Sequence, residues 1–294
     1  MDQAEQLRNI IKKSAQTQRP QARVITVTSG KGGVGKSNVS INLAVQLKKM
    51  GQRVIIFDAD FGLANIEVMF GAVPKHNLSD LIYQGKNIRD IITVGPMDIG
   101  FISGGSGIAG LSNLGRDYIN YLIQNLAELD MLADVIIIDT GAGISDSVIE
   151  FLVASGEVLL VTTPEPTSIT DSYSLLKALN RHVRYNKEMT QIKVVANKAE
   201  SFEEGRQLYN KLNAVVSRYL KIPISFVGVI PEDPQLVKAV MQQTPISIQN
   251  PNAKSSVAFE NLAVTLMNNS ADPVFRKHGM AGFFANMVRG KKFM

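Results

Sequence analysis

Cysteine is absent from the 294 residues of this chain. Its absence excludes disulfides, zinc–thiolate sites, iron–sulfur clusters and thiol catalysis. Histidine is scarce, and His76, His182 and His278 are too scattered along the sequence to suggest a metal site. No apolar run is long enough to span a bilayer, and the amino terminus lacks the apolar core of a signal peptide. We therefore expect a cytoplasmic protein or one peripheral to a membrane.

The excess positive charge, a formal +5, is concentrated at the two ends of the chain. Up to Arg23 there are five basic and two acidic residues, and from Asp272 onward there are five basic residues and one acidic residue. The region between them is therefore close to neutral. This distribution favours basic tails on a globular enzyme over a basic nucleic-acid-binding face.

Short runs rich in Val and Ile alternate with helical patterns through the middle of the chain. The runs lack polar alternation, as in strands buried on both faces of a parallel sheet. This order predicts an α/β fold with a doubly wound, mostly parallel sheet. The predicted strands are 24–28, 54–58, 135–139, 158–162, 193–196 and 226–230, and the predicted helices are 36–50, 118–128, 170–185, 203–219 and 234–243.

Both ends predict amphipathic helices outside this pattern. Residues 2–13 carry a narrow apolar stripe and precede a polar linker, so 1–23 is separated from a 24–270 catalytic domain. In 271–294, Met280, Phe283, Phe284, Met287 and Val288 recur at helical spacing ahead of Arg289, Lys291 and Lys292. This pattern suits the headgroup layer of an anionic membrane. The alternative is a helix packed on the protein's own core.

A phosphate-binding loop is predicted after the first strand, where a helix begins. The segment is Ser29-Gly30-Lys31-Gly32-Gly33-Val34-Gly35-Lys36-Ser37, followed by Asn38. Its glycines let backbone N–H groups converge on phosphate oxygens, and the helix amino terminus adds positive potential. We expect Lys36 to reach the β and γ phosphates and the Ser37 hydroxyl to hold Mg²⁺.

Acidic residues follow two further predicted strands. Asp58 ends one strand, with Asp60 and Asn65 in the loop beyond it. Asp139 ends a hydrophobic strand, delivers one carboxylate to the metal shell and opens a glycine-rich turn suited to sensing a γ phosphate. We expect Ser37, Asp60 and Asp139 to form the metal site, with Asp58 acting through the bound ion.

The early lysine in KGGVGKS makes this a deviant Walker A motif, and residues 24–268 resemble the ParA/MinD family of ATPases. The resemblance implies ATP and ADP as ligands, Mg²⁺, and a homodimer formed with ATP. It also implies that Lys31 reaches the partner's phosphates, while Asp60 orients the attacking water and Asn65 belongs to the same switch. A cation at Lys31 would stabilise the charge on the transferring phosphoryl group.

The same resemblance assigns residues around the base. Asn197 matches the family's adenine-contacting asparagine, and Pro231, Glu232 and Asp233 are expected to line the adenine pocket. Glu165 matches a residue that contacts nucleotide across the dimer.

Within the family, residues 2–8 resemble the activator motif of the FlhG group of flagellar number and placement ATPases (also FleN or YlxH). Residues 61–65 and 139–144 also look more like this group than like cell-division MinD. This implies stimulation of the GTPase FlhF through residues 2–13 and contact with flagellar switch-complex proteins. It also implies attachment of the carboxyl-terminal helix to the inner face of the cell membrane. Asp171 is a candidate partner-surface residue.

Several relatives are excluded chemically and two remain as alternatives. The nitrogenase iron protein and iron–sulfur scaffold ATPases need cysteine ligands, and tyrosine autokinases carry a tyrosine-rich tail that is missing here. A cell-division MinD shares the chemistry and differs in its partners. A ParA-like DNA-partitioning ATPase is disfavoured by the neutral body.

Overall fold

The computed structural model describes residues 21–60, 65–104, 116–268 and 279–288. The predicted helix at 2–13, most of the linker after it, residues 61–64 of the switch loop and the basic residues after 288 lie outside these ranges. None of the helices in the described part of the chain combines the length and apolarity needed to span a bilayer.

An eight-stranded sheet forms the centre of the fold, in the order β3-β4-β2-β5-β1-β6-β7-β8. β3 is antiparallel to β4, and the other neighbours are parallel. Each of the six predicted strands lies inside an observed one, which confirms the doubly wound, mostly parallel fold. The strands are β1 Arg23–Ser29, β2 Val54–Ala59, β3 Thr93–Val94, β4 Gly100–Ser103, β5 Val135–Ala142, β6 Glu157–Thr162, β7 Gln191–Ala199 and β8 Ile224–Pro231.

Helices cover both faces of the sheet. They are α1 Lys36–Lys49, α2 Asn65–Phe70, α3 Leu78–Gln84, α4 Ile88–Ile91, α5 Arg116–Ala127, α6 Leu129–Leu132, α7 Asp146–Ala154, α8 Pro166–Arg181, α9 Phe202–Tyr219, α10 Pro234–Met241, α11 Ile246–Gln249, α12 Lys254–Asn268 and α13 Gly279–Val288. A short 3₁₀ turn spans Pro96–Asp98.

The predicted helix 170–185 is wrong by four residues at each end, because α8 runs from Pro166 to Arg181. Proline suits the first helical position, where its missing N–H has no intrahelical partner and its φ is already helical. At the other end His182 is extended, with ψ 127°, so the chain turns there. This turn sends Arg184 toward α7 and α13.

Helix α13 packs its apolar stripe into the core on one face of the sheet. Met280, Phe283, Phe284 and Met287 are at most 6% exposed. The ring centroids of Phe284 and Phe57 on β2 lie 6.0 Å apart. The expectation of an exposed, lipid-facing stripe is therefore corrected for this structure, which has the alternative arrangement on the protein's own core.

Both ends of α13 are held by side chains of opposite charge. The Asp130 carboxylate accepts a 2.7 Å hydrogen bond from the Met280 N–H. At the other end Arg184 donates from Nη1 to the Asn286 and Met287 carbonyls, at 2.9 and 3.1 Å, and pairs with Glu150 on α7. An acid at the amino end and a base at the carboxyl end both favour the helix dipole.

Candidate nucleotide site

Three neighbouring parallel strands bring the predicted phosphate and metal residues to one edge of the sheet. β5 lies between β1 and β2, and Asp139 is in register with Val27 on one side and Asp58 on the other. The loops after these strands therefore meet at their carboxyl ends, where ligands of open α/β sheets bind.

The phosphate loop leaves the start of α1 open. Gly35 precedes the helix in a left-handed conformation, with φ 94°, and no side chain caps the first turn. The free N–H groups there, with buried Lys36 at the first helical position, form an anion site. Gly30 packs so closely on α8 that an added Cβ would lie 2.2 Å from the Asp171 carbonyl carbon.

Asp139 is fully buried beneath this loop. Its Oδ1 accepts a 2.8 Å hydrogen bond from the Ser40 hydroxyl, whereas Oδ2 is buried and has no hydrogen-bond partner among the described residues. Burial raises the pKa of Asp139 to about 6, although hydrogen bonds from Ser37 and Ser40 and the charge of Lys36 oppose the rise.

A bound cation fits this group of side chains. Burial and the charge of Asp139 raise the pKa of Asp58 to about 8, and the charge of Asp60 also raises the pKa values of both. The described ranges contain no group of three or more His, Cys, Asp or Glu side chains arranged to hold a metal by themselves. Mg²⁺ suits such a place because it binds through one or two protein groups, phosphates and waters. Ser37 and Asp139 are the residues that would hold it.

Asp58 organises the first switch. One of its oxygens accepts from the Asp60 N–H at 3.1 Å and the other from the Ile66 N–H at 3.4 Å, on the far side of the switch loop. Asn65 donates from Nδ2 to Asp60 Oδ2 at 3.4 Å. The structure thus brings Asp60 and Asn65 together as predicted, and it gives Asp58 a role in holding the loop.

Lys31 contacts its own chain in this structure. Its Nζ donates to Glu165 Oε2 at 2.5 Å and to Thr167 Oγ1 at 2.9 Å. The hydrogen bond and charge of Lys31 lower the pKa of Glu165. A lysine held this way must leave Glu165 before it can reach phosphates elsewhere. Thr167 was not singled out by the sequence, since no motif marks it.

The end of β7 supports the phosphate loop from the base side. Asn197 donates from Nδ2 to the Val34 carbonyl at 2.7 Å, and its buried Oδ1 has no partner among the described residues. That oxygen can accept a hydrogen bond, so it suits the exocyclic amino group of adenine rather than the keto oxygen of guanine. Lys198, also missed by the sequence reasoning, donates from Nζ to the Gly33 carbonyl at 2.8 Å.

The three residues predicted to line the adenine pocket, Pro231, Glu232 and Asp233, have different surroundings in the structure. Pro231 ends β8, and Glu232 is exposed. The Asp233 carboxylate accepts from the Gln235 N–H at 2.9 Å and from the Ser255 hydroxyl at 2.9 Å. Asp233 therefore caps α10 and ties it to α12, so its oxygens are engaged within the fold.

Comparison with known proteins gives a consistent set of similarities. The family described as ParA, NUBPL iron-transfer P-loop NTPase matches residues 21–267. The antiactivator FleN of Pseudomonas aeruginosa is 44% identical over 241 residues, 82% of this chain and 85% of that protein. The flagellum site-determining protein YlxH of Helicobacter pylori is 32% identical over 296 residues, 98% of each.

The solved structures show the same fold. The cell division ATPase MinD of Pyrococcus furiosus superposes with a TM-score of 0.66 at 24% identity, covering 85% of this chain and all of that one. A septum site-determining MinD of Pyrococcus horikoshii complexed with Mg-ADP gives 0.66 at 23% identity, covering 85% and 98%. This chain has no cysteine with which to ligate an iron–sulfur cluster.

Proposed function

The chain belongs to the ParA/MinD family of P-loop ATPases, and from that membership we propose that it regulates the number and placement of flagella through an ATP-controlled dimer. One observation carries the proposal: the flagellum site-determining protein YlxH aligns over 98% of its own length and 98% of this chain, and the antiactivator FleN aligns over 85% and 82%. ATPase activity itself follows from the family, and the flagellar role is our inference.

The nucleotide cycle uses the side chains at the sheet edge. Lys36 and the free N–H groups at the start of α1 bind the β and γ phosphates, with Ser37 and Asp139 on the side of Mg²⁺. The ion would neutralise charge on the phosphates. Asp60, steadied by Asn65, orients the attacking water. Lys31 leaves Glu165 when a second ATP-bound copy docks, and it then stabilises charge on the partner's triphosphate.

Membrane attachment in this scheme requires α13 to leave the core. Its apolar side chains are buried against β2 and α7 and cannot touch lipid while they remain there. Once released, the helix places them in the headgroup layer of an anionic membrane, beside the basic residues that follow in the sequence. A dimer carries two such helices, so effective concentration strengthens attachment without new lipid contacts.

Partner contacts are proposed for the amino-terminal segment and for α8. Residues 2–13 are proposed to stimulate FlhF, and the dimer surface to contact switch-complex proteins. Asp171 lies in the first turns of α8, where its backbone packs on Gly30 of the phosphate loop. A partner that binds near Asp171 would therefore lie close to the phosphate loop.

The test is Asp60→Ala, with Glu260→Ala on the exposed side of α12 as the matched acidic control. Asp60→Ala should bind ATP, fail to hydrolyse it and accumulate as a dimer that sediments with anionic liposomes, whereas the control should cycle normally. The dimer is measured by analytical ultracentrifugation with ATP or ADP. A variant that binds ATP yet stays monomeric would refute the scheme.

The second candidate is a cell-division regulator, favoured by 32% identity over 257 residues to a putative septum site-determining MinD of Oltmannsiellopsis viridis. Deleting residues 2–13 separates the two: loss of FlhF stimulation supports the flagellar role, and no effect supports division. Salt-sensitive DNA binding by the ATP dimer that persists without residues 280–294 would instead indicate a DNA-partitioning protein.

A further inference from the structure

We propose that Lys198 is a positioning residue that holds the phosphate loop in its nucleotide-binding form by binding the Gly33 carbonyl. The proposal rests on the nucleotide site described above and adds a residue to it. Lys198 lies on β7, directly after Asn197, on the strand that borders the phosphate loop from the base side.

A β-bulge makes this contact possible. The register of β7 and β8 shifts between Asn197 and Ala199, and Lys198 at the shift is left-handed, with φ 56°. In a regular strand, successive side chains point to opposite faces, so Asn197 and Lys198 would diverge. The bulge instead lets both side chains reach the same loop, at Val34 and Gly33 respectively. Bulges of this kind re-aim side chains beside active sites.

The two contacts set the direction of two consecutive peptide groups. In a trans peptide the C=O and the following N–H point in opposite directions. When Lys198 holds the Gly33 carbonyl, the Val34 N–H is turned away from β7, and when Asn197 holds the Val34 carbonyl, the Gly35 N–H is turned the same way. Both N–H groups then face the interior of the loop, where phosphate oxygens bind.

Gly33 has little else to fix its conformation. Its φ is 76°, and no atom beyond its two chain neighbours lies within 4 Å of where a Cβ would stand. Lys198 itself adopts a backbone conformation that favours glycine or asparagine over lysine. The left-handed backbone at position 198 is unfavourable for a lysine, and Gly33 is loosely packed. Both observations are explained if the Lys198 amine is needed to bind the Gly33 carbonyl.

The experiment compares Lys198→Met, Lys198→Gly and Lys198→Arg with Lys221→Met. Lys221 is the matched control, because it is also an exposed left-handed lysine, with φ 54°, at the end of α9. Affinities for fluorescent ATP and ADP analogues, steady-state KM and kcat, and thermal unfolding without nucleotide are measured on the full chain.

Lys198→Met should weaken binding of both nucleotides by roughly three- to tenfold, raising KM with kcat nearly unchanged, since an exposed charged hydrogen bond is lost. Lys198→Gly should lose as much affinity while its unfolding temperature stays equal or rises, because its backbone is relaxed. Lys198→Arg should keep most of the affinity, and Lys221→Met all of it.

The proposal is overturned if Lys198→Met binds nucleotide like the unaltered chain, or if Lys221→Met loses the same affinity. It is also overturned if Lys198→Gly loses affinity only together with stability. Failure of the unaltered chain to bind ATP would refute the nucleotide site itself. A chain that binds ATP, with Lys198 variants that bind equally well, would refute only the role of Lys198.

Discussion

Gly30 and Gly32 stand two residues apart in the phosphate loop and meet different surroundings. A Cβ on Gly30 would overlap the α8 backbone at 2.2 Å, whereas the nearest atom to a Cβ on Gly32 is 4.0 Å away. Gly30→Ala should therefore lower the free energy of unfolding without nucleotide by about 1–3 kcal/mol, as overpacking does.

Gly32→Ala is the matched control and should leave that free energy within about 0.5 kcal/mol, as substitutions away from packed sites do. Its effect should appear instead in weaker nucleotide binding, because a methyl group there obstructs the approach of phosphate. Urea unfolding and nucleotide titration measure the two quantities. Equal losses of stability in both variants would contradict the separate roles.

The positions of the candidate phosphate and metal residues could be predicted one by one, because a motif fixes each to the end of a strand or to the start of the helix that follows it. Ser37 and Asp139 follow directly from such spacing. Lys198 and Thr167 could not be predicted, because their contacts depend on a bulge and on the first turn of α8. Asp233 was predicted for the base pocket, but a helix cap uses the same residue type, and only the structure shows its partners.

Helix α13 depends on its aromatic side chains. Phe284 is 1% exposed and lies edge-on to Phe57 and Phe283. Phe151 on α7 is 1% exposed and its ring centroid lies 5.9 Å from that of Phe283. Phe151→Ala should therefore weaken the docking of α13 through lost burial and the cavity left behind, which together cost about 3–5 kcal/mol, while it leaves the apolar side chains of α13 unchanged. The variant should therefore sediment with anionic liposomes without ATP.

Val183→Ala serves as the control, because Val183 is 95% exposed and its truncation leaves no cavity. This variant should remain in the supernatant without ATP, like the unaltered chain. If Phe151→Ala also remained there while its unfolding free energy fell, release of α13 would not be the step that controls membrane attachment.

Asp130 gives the docking of α13 a pH dependence. Burial raises its pKa to about 6, against hydrogen bonds from the Met280, Ala281 and Ala22 N–H groups, and the ordinary value is 3.8. The docked form thus binds this proton more tightly than the released form. Its contribution to docking is complete below about pH 4 and is lost as the pH rises through 6.

Because the sequence has no tryptophan, Met287→Trp provides a single emission reporter of burial. Its emission should shift toward the exposed wavelength between pH 5 and pH 7.5, and adding Asp130→Asn should abolish the shift. Asp130→Asn leaves Glu150 and His182, at the other end of α13, unchanged. The double variant therefore tests the contribution of Asp130 alone. An unchanged shift in the double variant would contradict the role of Asp130.

Periodicity predicted that α13 is a helix with one apolar face, and it could not decide what that face meets. A stripe that faces lipid and a stripe that faces a core have the same spacing. β3 and β4 were missed for a different reason, since strands of two and four residues are too short to show a pattern. The long, buried strands carried the strongest signal.

A buried charge cluster joins β1, β6 and β7 at the opposite edge of the sheet from the nucleotide site. Glu157 accepts from Arg23 at 2.7 Å and from Lys193 at 2.8 Å. Glu157→Ala would leave buried Lys193 and partly buried Arg23 without their counter-charge, so the whole molecule should lose about 3–5 kcal/mol of unfolding free energy.

Asp134→Ala is the control for this cluster. Asp134 also pairs with an arginine, Arg53 at 2.7 Å, but the pair is 38–50% exposed. Exposed pairs contribute about 0–1 kcal/mol, so this variant should unfold at nearly the same urea concentration as the unaltered chain. Similar losses of unfolding free energy in the two variants would mean that the stabilisation by the Glu157 cluster does not depend on its burial.

The register of Val27, Asp139 and Asp58 across three adjacent strands has a consequence for the molecule as a whole. The loops of the candidate nucleotide site are continuations of the most deeply buried backbone, so the points where they begin stay together as long as the middle of the sheet is intact. Occupancy of the site and integrity of the interior are therefore one cooperative property. A copy that has lost its interior therefore also loses the arrangement of side chains that would bind a nucleotide.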